Sequence, residues 1–211
     1  MKNVLVVTNQ KGGCAKTTLS VHLSEALTLH GLKTILVDCD KQGSSVLWAA
    51  GGRLKTPVVS LTAADMSTGL AELAGQYDYV VVDCLPDATA PTTLAALDAA
   101  GLAIVPCQTS APDLCATTAL LQVAESRRPG LTILVVPTLV AATINSREVL
   151  DIMEASWTVS RAHMASRTCY REAATEGNTV HSMSGRAAAS AAQEVNALAF
   201  EVLNALARTA Q

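Results

Sequence analysis

Short, continuous apolar runs along this chain alternate with longer stretches of helical spacing. Val4-Leu5-Val6-Val7 is the first run, and Leu19, Leu23, Ala26 and Leu27 then fall on one helical face. Gly31 reads as the stop of that helix and Lys33–Asp38 as the second strand. Residues 43–50 look helical, and Gly51-Gly52 breaks them. Residues 58–61 read as a short strand, Ser67–Ala74 as a weak helix, and Tyr79–Asp83 as a clear strand ending in a carboxylate. After a loop from Pro86 to Pro91 come helix Thr92–Ala100, strand Leu102–Pro106, helix Pro112–Arg127 and strand Leu131–Pro137. This alternation predicts an α/β fold: one domain, residues 1–211, with a doubly wound, mostly parallel sheet flanked by helices.

The last part departs from that rhythm, with helices predicted over Ser146–Ala155, Thr168–Glu176 and Arg186–Ala207. The last carries Val195, Leu198, Val202 and Leu206 on one stripe, predicted to pack against the sheet. Its cations, Arg186 and Arg208, stand only at the ends, and it carries Glu194 and Glu201. It therefore lacks the cationic face of a helix that lies on anionic lipid.

Composition narrows the core. Half of the 211 residues are apolar, yet there are only one Phe, two Trp and three Tyr, so Ala, Val, Leu and Ile must fill the interior. A net charge of −3 gives no global case for nucleic acid. The six cysteines show no C-x-x-C pair and no zinc-finger spacing. Free thiols in a reduced, cytoplasmic setting are the expectation. Neither a signal peptide nor a transmembrane segment is expected.

The chemistry concentrates in Asn9–Thr18, NQKGGCAKTT, between the first strand and the first helix. Gly12 and Gly13 permit a tight turn and a close approach of backbone N–H groups to phosphate, with Cys14 and Ala15 continuing the cradle. The helix starting near Lys16 adds unpaired N–H groups and a positive dipole end. Lys16 is expected at the β- and γ-phosphates, Thr17 on Mg²⁺ and Thr18 over the α-phosphate. In an open α/β sheet, ligands bind beyond the carboxyl ends of strands, where Lys11, Asp38, Asp40 and Asp83 all fall. Asp83 reads as a Walker B aspartate for Mg²⁺; its bland reading is a residue that ends a strand.

The loop lacks the ordinary Walker A glycines, having Gln10 and Ala15 in their places, but fits the deviant form K-G-G-x-x-K-[ST]. In this it resembles the ParA/MinD family of P-loop ATPases, and in size the short ParA-type plasmid partition proteins without an amino-terminal helix-turn-helix extension. The resemblance implies that Lys11 crosses a homodimer interface to the partner's nucleotide in the ATP state. Val37-Asp38-Cys39-Asp40-Lys41-Gln42 resembles the family's V-D-x-D-P-Q, with Lys41 replacing the proline. By that resemblance Asp40 orients or activates the attacking water and Asp38 supports the metal and the loop. The alternative for Asp38 is a strand-end cap. The resemblance also puts the adenine near Pro106 and residues 137–145, where the family's Asp-x-Arg element is missing.

Between Ala155 and Arg171 stand Arg161, Arg167 and Arg171 and no acidic residue, a local charge of +3. Such a run can track phosphates without reading sequence; its bland reading is a solvated helix face. Arg167, Tyr170 and Ala173, followed by Gly177 and Val180, resemble the carboxy-terminal region of small ParA-type proteins. That resemblance implies non-specific DNA binding through Arg161, Arg167, Arg171 or Arg186. The whole implies an ATP- and Mg²⁺-dependent ATPase, nucleoid-associated in its ATP state and stimulated by a ParB-type adaptor. Open beside it stand a ParA-like ATPase with a protein cargo such as a carboxysome or chemoreceptor cluster, a metabolic P-loop enzyme, and a protein that only binds nucleotide.

Overall fold

The computed structural model describes residues 1–208. Its sheet comprises β1 (Val4–Val7), β2 (Thr34–Asp38), β3 (Val58–Ser60), β4 (Tyr79–Asp83), β5 (Leu102–Gln108) and β6 (Ile133–Thr138). The strands lie in the order β3-β2-β4-β1-β5-β6, and every pairing is parallel. The continuous apolar runs follow from this, since β1 and β2 are buried along their whole length.

Successive residues point to opposite faces of the sheet. Leu5, Val7, Leu36 and Val81 pack with α1 (Lys16–Leu29) and α8 (Arg186–Arg208). Val4, Val6, Ile35 and Val80 pack on the other side with α3 (Met66–Gln76) and α4 (Pro91–Ala99). Towards the β6 edge, Val105 and Val135 meet α5 (Ala111–Arg127) and α6 (Ile144–Ser156). Val195, Leu198, Val202 and Leu206 of α8 are buried in the first of these clusters, as their spacing predicts. Among the described residues no helix is long and apolar enough to cross a membrane. The six cysteines are free thiols, five of them buried.

Two departures from the sequence reading have physical causes. β5 runs two residues past Pro106, because Cys107 and Gln108 pair with Pro137 and Thr138 of β6. Pro106 is tolerated because β1 stops at the register of Ile104, so no strand on that side asks for its missing N–H. Beyond β6 the chain lays residues 158–166 alongside, with parallel bridges Val135↔Val159 and Val140↔Ala165. That segment has no apolar run to announce it.

Trp48 of α2 (Ser44–Ala49) donates its indole N–H to Asn178 O at 2.8 Å, just past α7 (Thr168–Glu176). The two helix ends meet at Gly51 and Gly177. A Cβ on Gly51 would lie 2.9 Å from Gly177 Cα, and one on Gly177 would lie 2.9 Å from Trp48 O. Both clashes are with backbone, so neither is relieved by a rotamer change. Gly51→Ala is expected to lower unfolding stability by about 1–3 kcal/mol, the usual range for overpacking. Urea unfolding measures this, and an unchanged midpoint would mean that the two ends are free to separate.

Candidate nucleotide site

Residues 9–15 carry the chain from the end of β1 to the start of α1, and side chains on β5 and β6 hold that loop from behind. Gln108 Nε2 donates to Gly13 O at 2.8 Å, and Thr138 Oγ1 donates to Cys14 O at 3.0 Å. Lys16 Nζ and Cys14 Sγ donate to Lys11 O at 2.8 and 3.2 Å. Asn9, fully buried, ties the loop down by donating to Pro106 O at 2.8 Å and accepting from Lys11 N at 3.2 Å. Three loop carbonyls are thus occupied by donors. The first turn of α1 has no side-chain cap, which leaves its N–H groups for an outside acceptor.

Gly13 and Ala15 both adopt left-handed backbone, at φ 76° and 69°. For Ala15 that conformation costs about 1–2 kcal/mol, which the surrounding hydrogen bonds must overcome. Gly12, Gly13 and residues 15–18 line a cleft of about 400 Å³. Asp40, Cys84, Pro86, Leu139 and Arg171 complete its lining. Uncapped N–H groups, the Lys16 ammonium and the Thr17 hydroxyl make a donor set suited to a phosphate chain with its magnesium ion.

The carboxylates divide their work. Asp83 is buried; Ser45 Oγ donates to its Oδ2 at 2.7 Å, and Ser20 Oγ lies 3.1 Å from its Oδ1. Burial raises its pKa to about 6, against the pull of hydroxyls from Ser45, Thr17 and Ser20, and the neighbouring Asp38 adds to the rise. A carboxylate held at that cost beside Thr17 is suited to a cation. Asp38 is used otherwise. Its Oδ1 accepts from Asp40 N at 3.0 Å, and its Oδ2 accepts from Ser45 N and Val46 N at 2.8 and 3.2 Å. Asp38 therefore caps α2 and fixes the turn that presents Asp40. Asp40 is partly exposed and lines the cleft.

Two further predicted residues lie elsewhere. Lys11 Nζ forms an ion pair at 2.5 Å with Asp113 Oδ2 in the first turn of α5, and Asp113 is itself 1% exposed. In this form of the chain the loop lysine is held by its own subunit. Pro106 is buried in β5 with its carbonyl given to Asn9, and does not line the cleft. The sequence reading gives no role of their own at this site to Gln108, Thr138, Asn9, Ser20, Ser45 and Asp113. Their sequence signals are a polar residue at or just past a strand carboxyl end for Gln108, Thr138 and Asn9, a position one turn after Lys16 for Ser20, and the first turn of a helix for Ser45 and Asp113.

The arginine run of the sequence is not one patch in space. Glu201 of α8 accepts from Ser160 Oγ, Arg161 N and Ala162 N at 2.7–2.9 Å. Glu194 accepts from Arg167 Nε and Nη2 at 2.9 and 2.5 Å and from Tyr170 OH at 3.1 Å. Arg167 is thereby neutralised at the start of α7. Arg171 lines the cleft, while Arg161 and Arg186 are exposed near opposite ends of α8. The acidic residues that the segment lacks are supplied by α8.

A parallel sheet whose first strand feeds a Gly-Gly, two-lysine loop into a helix, with a buried aspartate on the adjacent strand, defines a P-loop nucleotide-binding domain of the deviant Walker A kind. The chain belongs to the CobQ/CobB/MinD/ParA nucleotide binding domain family, whose sequence model matches residues 5–206. It is 32% identical over 213 residues to the Maintenance of carboxysome distribution protein A of Halothiobacillus neapolitanus, covering 94% of this chain and 95% of that protein. The septum site-determining protein MinD of Pyrococcus horikoshii, complexed with Mg-ADP, matches with TM-score 0.75 at 20% identity over 96% of each chain. A variant McdA of Cyanothece in complex with ATP matches with TM-score 0.76 at 15% identity, over 97% of this chain and 96% of that one. At these identities the two structural likenesses are of fold.

Behind the cleft stands His22, completely buried on α1. Its Nδ1 donates to Thr18 O at 2.8 Å, and its Nε2 accepts from Val180 N at 3.3 Å. The rings of Trp48 and Tyr170 meet it edge-on, with centroids 5.7 and 5.1 Å away. Burial lowers its pKa from 6.5 to about 4, partly opposed by the Thr18 carbonyl and assisted by His181. The unfolded chain then binds the extra proton between those two values, so this group's contribution falls as pH drops from 6.5 to 4, by about 3 kcal/mol. Asp83 acts oppositely: its raised pKa favours the protonated fold, so that contribution grows as pH falls through about 6. Comparison with His22→Gln isolates the histidine. Between pH 7 and pH 4 wild type is expected to lose about 3 kcal/mol relative to the variant in urea unfolding, and parallel pH profiles would show that His22 titrates normally in the fold.

Proposed function

We propose that this protein is a Mg²⁺-dependent ATPase that closes into an ATP-sandwich homodimer, binds DNA without sequence preference in that state, and positions cargo on the nucleoid. The observation that carries the proposal is that the phosphate loop and Asp40 line one cleft. Bound Mg²⁺ would neutralise phosphate charge, held by Thr17 and Asp83. Lys16 and the loop N–H groups hold the phosphates, Asp40 orients the attacking water, and Asp38 keeps Asp40 in place. Lys11 leaves Asp113 to reach the partner's nucleotide. DNA contact falls to Arg161 and Arg186, which are exposed and have no ion-pair partner among the described residues.

In this reading the γ-phosphate biases the monomer–dimer equilibrium, and a ParB-type adaptor on the cargo stimulates hydrolysis and release. The setting is cytoplasmic. A plasmid or chromosome is the first cargo considered. The 32% identity to a carboxysome distribution protein over nearly all of both chains favours, as a second reading, a protein assembly reached through a different adaptor.

DNA retention with ATP, ADP or no nucleotide, at two salt concentrations, tests the switch. Binding with ATP alone, weakened by salt, is expected; equal binding in all three states would separate DNA from the nucleotide site. Asp40→Ala is expected to keep ATP affinity within about threefold of wild type while turnover falls at least about 100-fold. Phosphate release and equilibrium nucleotide binding measure the two, and wild-type turnover would remove Asp40 from the chemistry.

A further inference from the structure

Arg171 belongs to the run of arginines that the sequence suggests for DNA, yet its place in the fold is the wall of the phosphate cleft. It lines the same space as Gly12, Lys16, Thr17 and Asp40. With Lys16 it contributes two cations to that space against the single carboxylate of Asp40, which favours an anion. Two acids of these helices are committed elsewhere: Glu176 pairs with Arg53 at 3.3 Å and Glu194 with Arg167 at 2.5 Å, while Glu172, next in sequence, is exposed and in no ion pair among the described residues. Among the described residues Arg171 itself has no ion-pair partner, and its side chain is exposed to the cleft mouth.

The mount of Arg171 is fixed to the loop. Tyr170, one residue before it, is 4% exposed and packs on His22, whose Nδ1 holds the carbonyl of Thr18. The Tyr170 hydroxyl is 3.1 Å from Glu194 Oε2 and 3.3 Å from Ala191 O, which ties this turn of α7 to α8. At the far end of α7, Gly177 sits against Gly51. An arginine on a helix anchored at three points is preorganised for a ligand in the cleft, and guanidinium geometry suits phosphate oxygens.

We infer that Arg171 is a nucleotide-binding residue of its own subunit, contacting the phosphate chain of the nucleotide seated on the Gly12–Thr18 loop, rather than a DNA contact. This rests on the nucleotide reading proposed above and adds a cation from the carboxy-terminal half of the chain to a site that the loop motif places wholly in the amino-terminal half. The contact would also report occupancy of the cleft to α7 and, through Tyr170 and Glu194, to α8.

Equilibrium binding of fluorescent ATP and ADP analogues with Mg²⁺ to wild type, Arg171→Ala, Arg171→Lys and Lys16→Ala tests the inference. Arg171→Ala is expected to raise Kd about tenfold or more, and Arg171→Lys to recover part of the loss because it keeps the charge without the fork. If Lys16→Ala abolishes binding while Arg171→Ala matches wild type, the inference falls and the nucleotide reading stands. If that wild-type Kd is accompanied by weaker DNA retention, Arg171 passes to DNA. A wild type that binds neither nucleotide overturns the nucleotide reading, and this inference with it.

Discussion

Everything functional in this molecule depends on how the loop after β1 is held from behind. A phosphate loop needs its N–H groups directed at one point, and a glycine-rich backbone left to itself does not keep them there, because glycine is the most conformationally free residue. Here the restraint comes from outside the motif. Gln108 and Thr138, at the carboxyl ends of β5 and β6, take the carbonyls of Gly13 and Cys14, and Asn9 anchors the loop to Pro106. Occupying the carbonyls is what allows Ala15 to remain left-handed despite its Cβ. The sheet thus supplies the order that the loop lacks.

The same economy appears on the other side of the cleft. Asp38 and Asp83 occupy matched positions on adjacent strands, close enough that Asp38 raises the cost of charge on Asp83. The fold separates them by function. Asp38 spends both oxygens on backbone N–H groups around the Asp40 turn, whereas the partners of Asp83 among the described residues are hydroxyls. Hydroxyls can turn and give up an oxygen to a cation; backbone N–H groups tied into a helix start cannot. Ser45 links the two carboxylates, donating its N–H to one and its hydroxyl to the other.

The elements that the sequence displays clearly are those governed by local pattern. The buried strands, the helix carrying Leu19 and Leu27, and the stripe on α8 are apolar periodicities, and periodicity survives folding unchanged. The loop was legible because its residues are contiguous. Hidden were the interactions that join residues far apart in sequence: Gln108 to Gly13, Thr138 to Cys14, Lys11 to Asp113, His22 to Val180. A single polar residue at a strand end has no periodicity, and nothing in a linear reading says which partner the sheet order brings beside it. The two readings of Asp38 are of this kind, since a carboxylate that supports the metal and the loop and one that caps a strand end occupy the same place in the motif and differ only in what faces them.

The arginine run shows where linear charge counting fails. Its local charge of +3 holds along the chain, but charge acts through space, and α8 returns Glu194 and Glu201 to the backbone and side chains of the same segment. These two glutamates, which along the helix only argue against a lipid-facing surface, are the clamps that shape residues 160–167. With Arg167 neutralised and Arg171 turned to the cleft, the exposed cations Arg161 and Arg186 are separated by about fifteen residues of α8, roughly 22 Å at the rise of an α-helix. A duplex carries phosphates on both strands across that span, so two distant contacts from one subunit fit its backbone weakly. In the dimer proposed above, two subunits closed over nucleotide would double these contacts. Affinity for DNA would then depend on dimer closure through geometry alone, with no change in any single arginine.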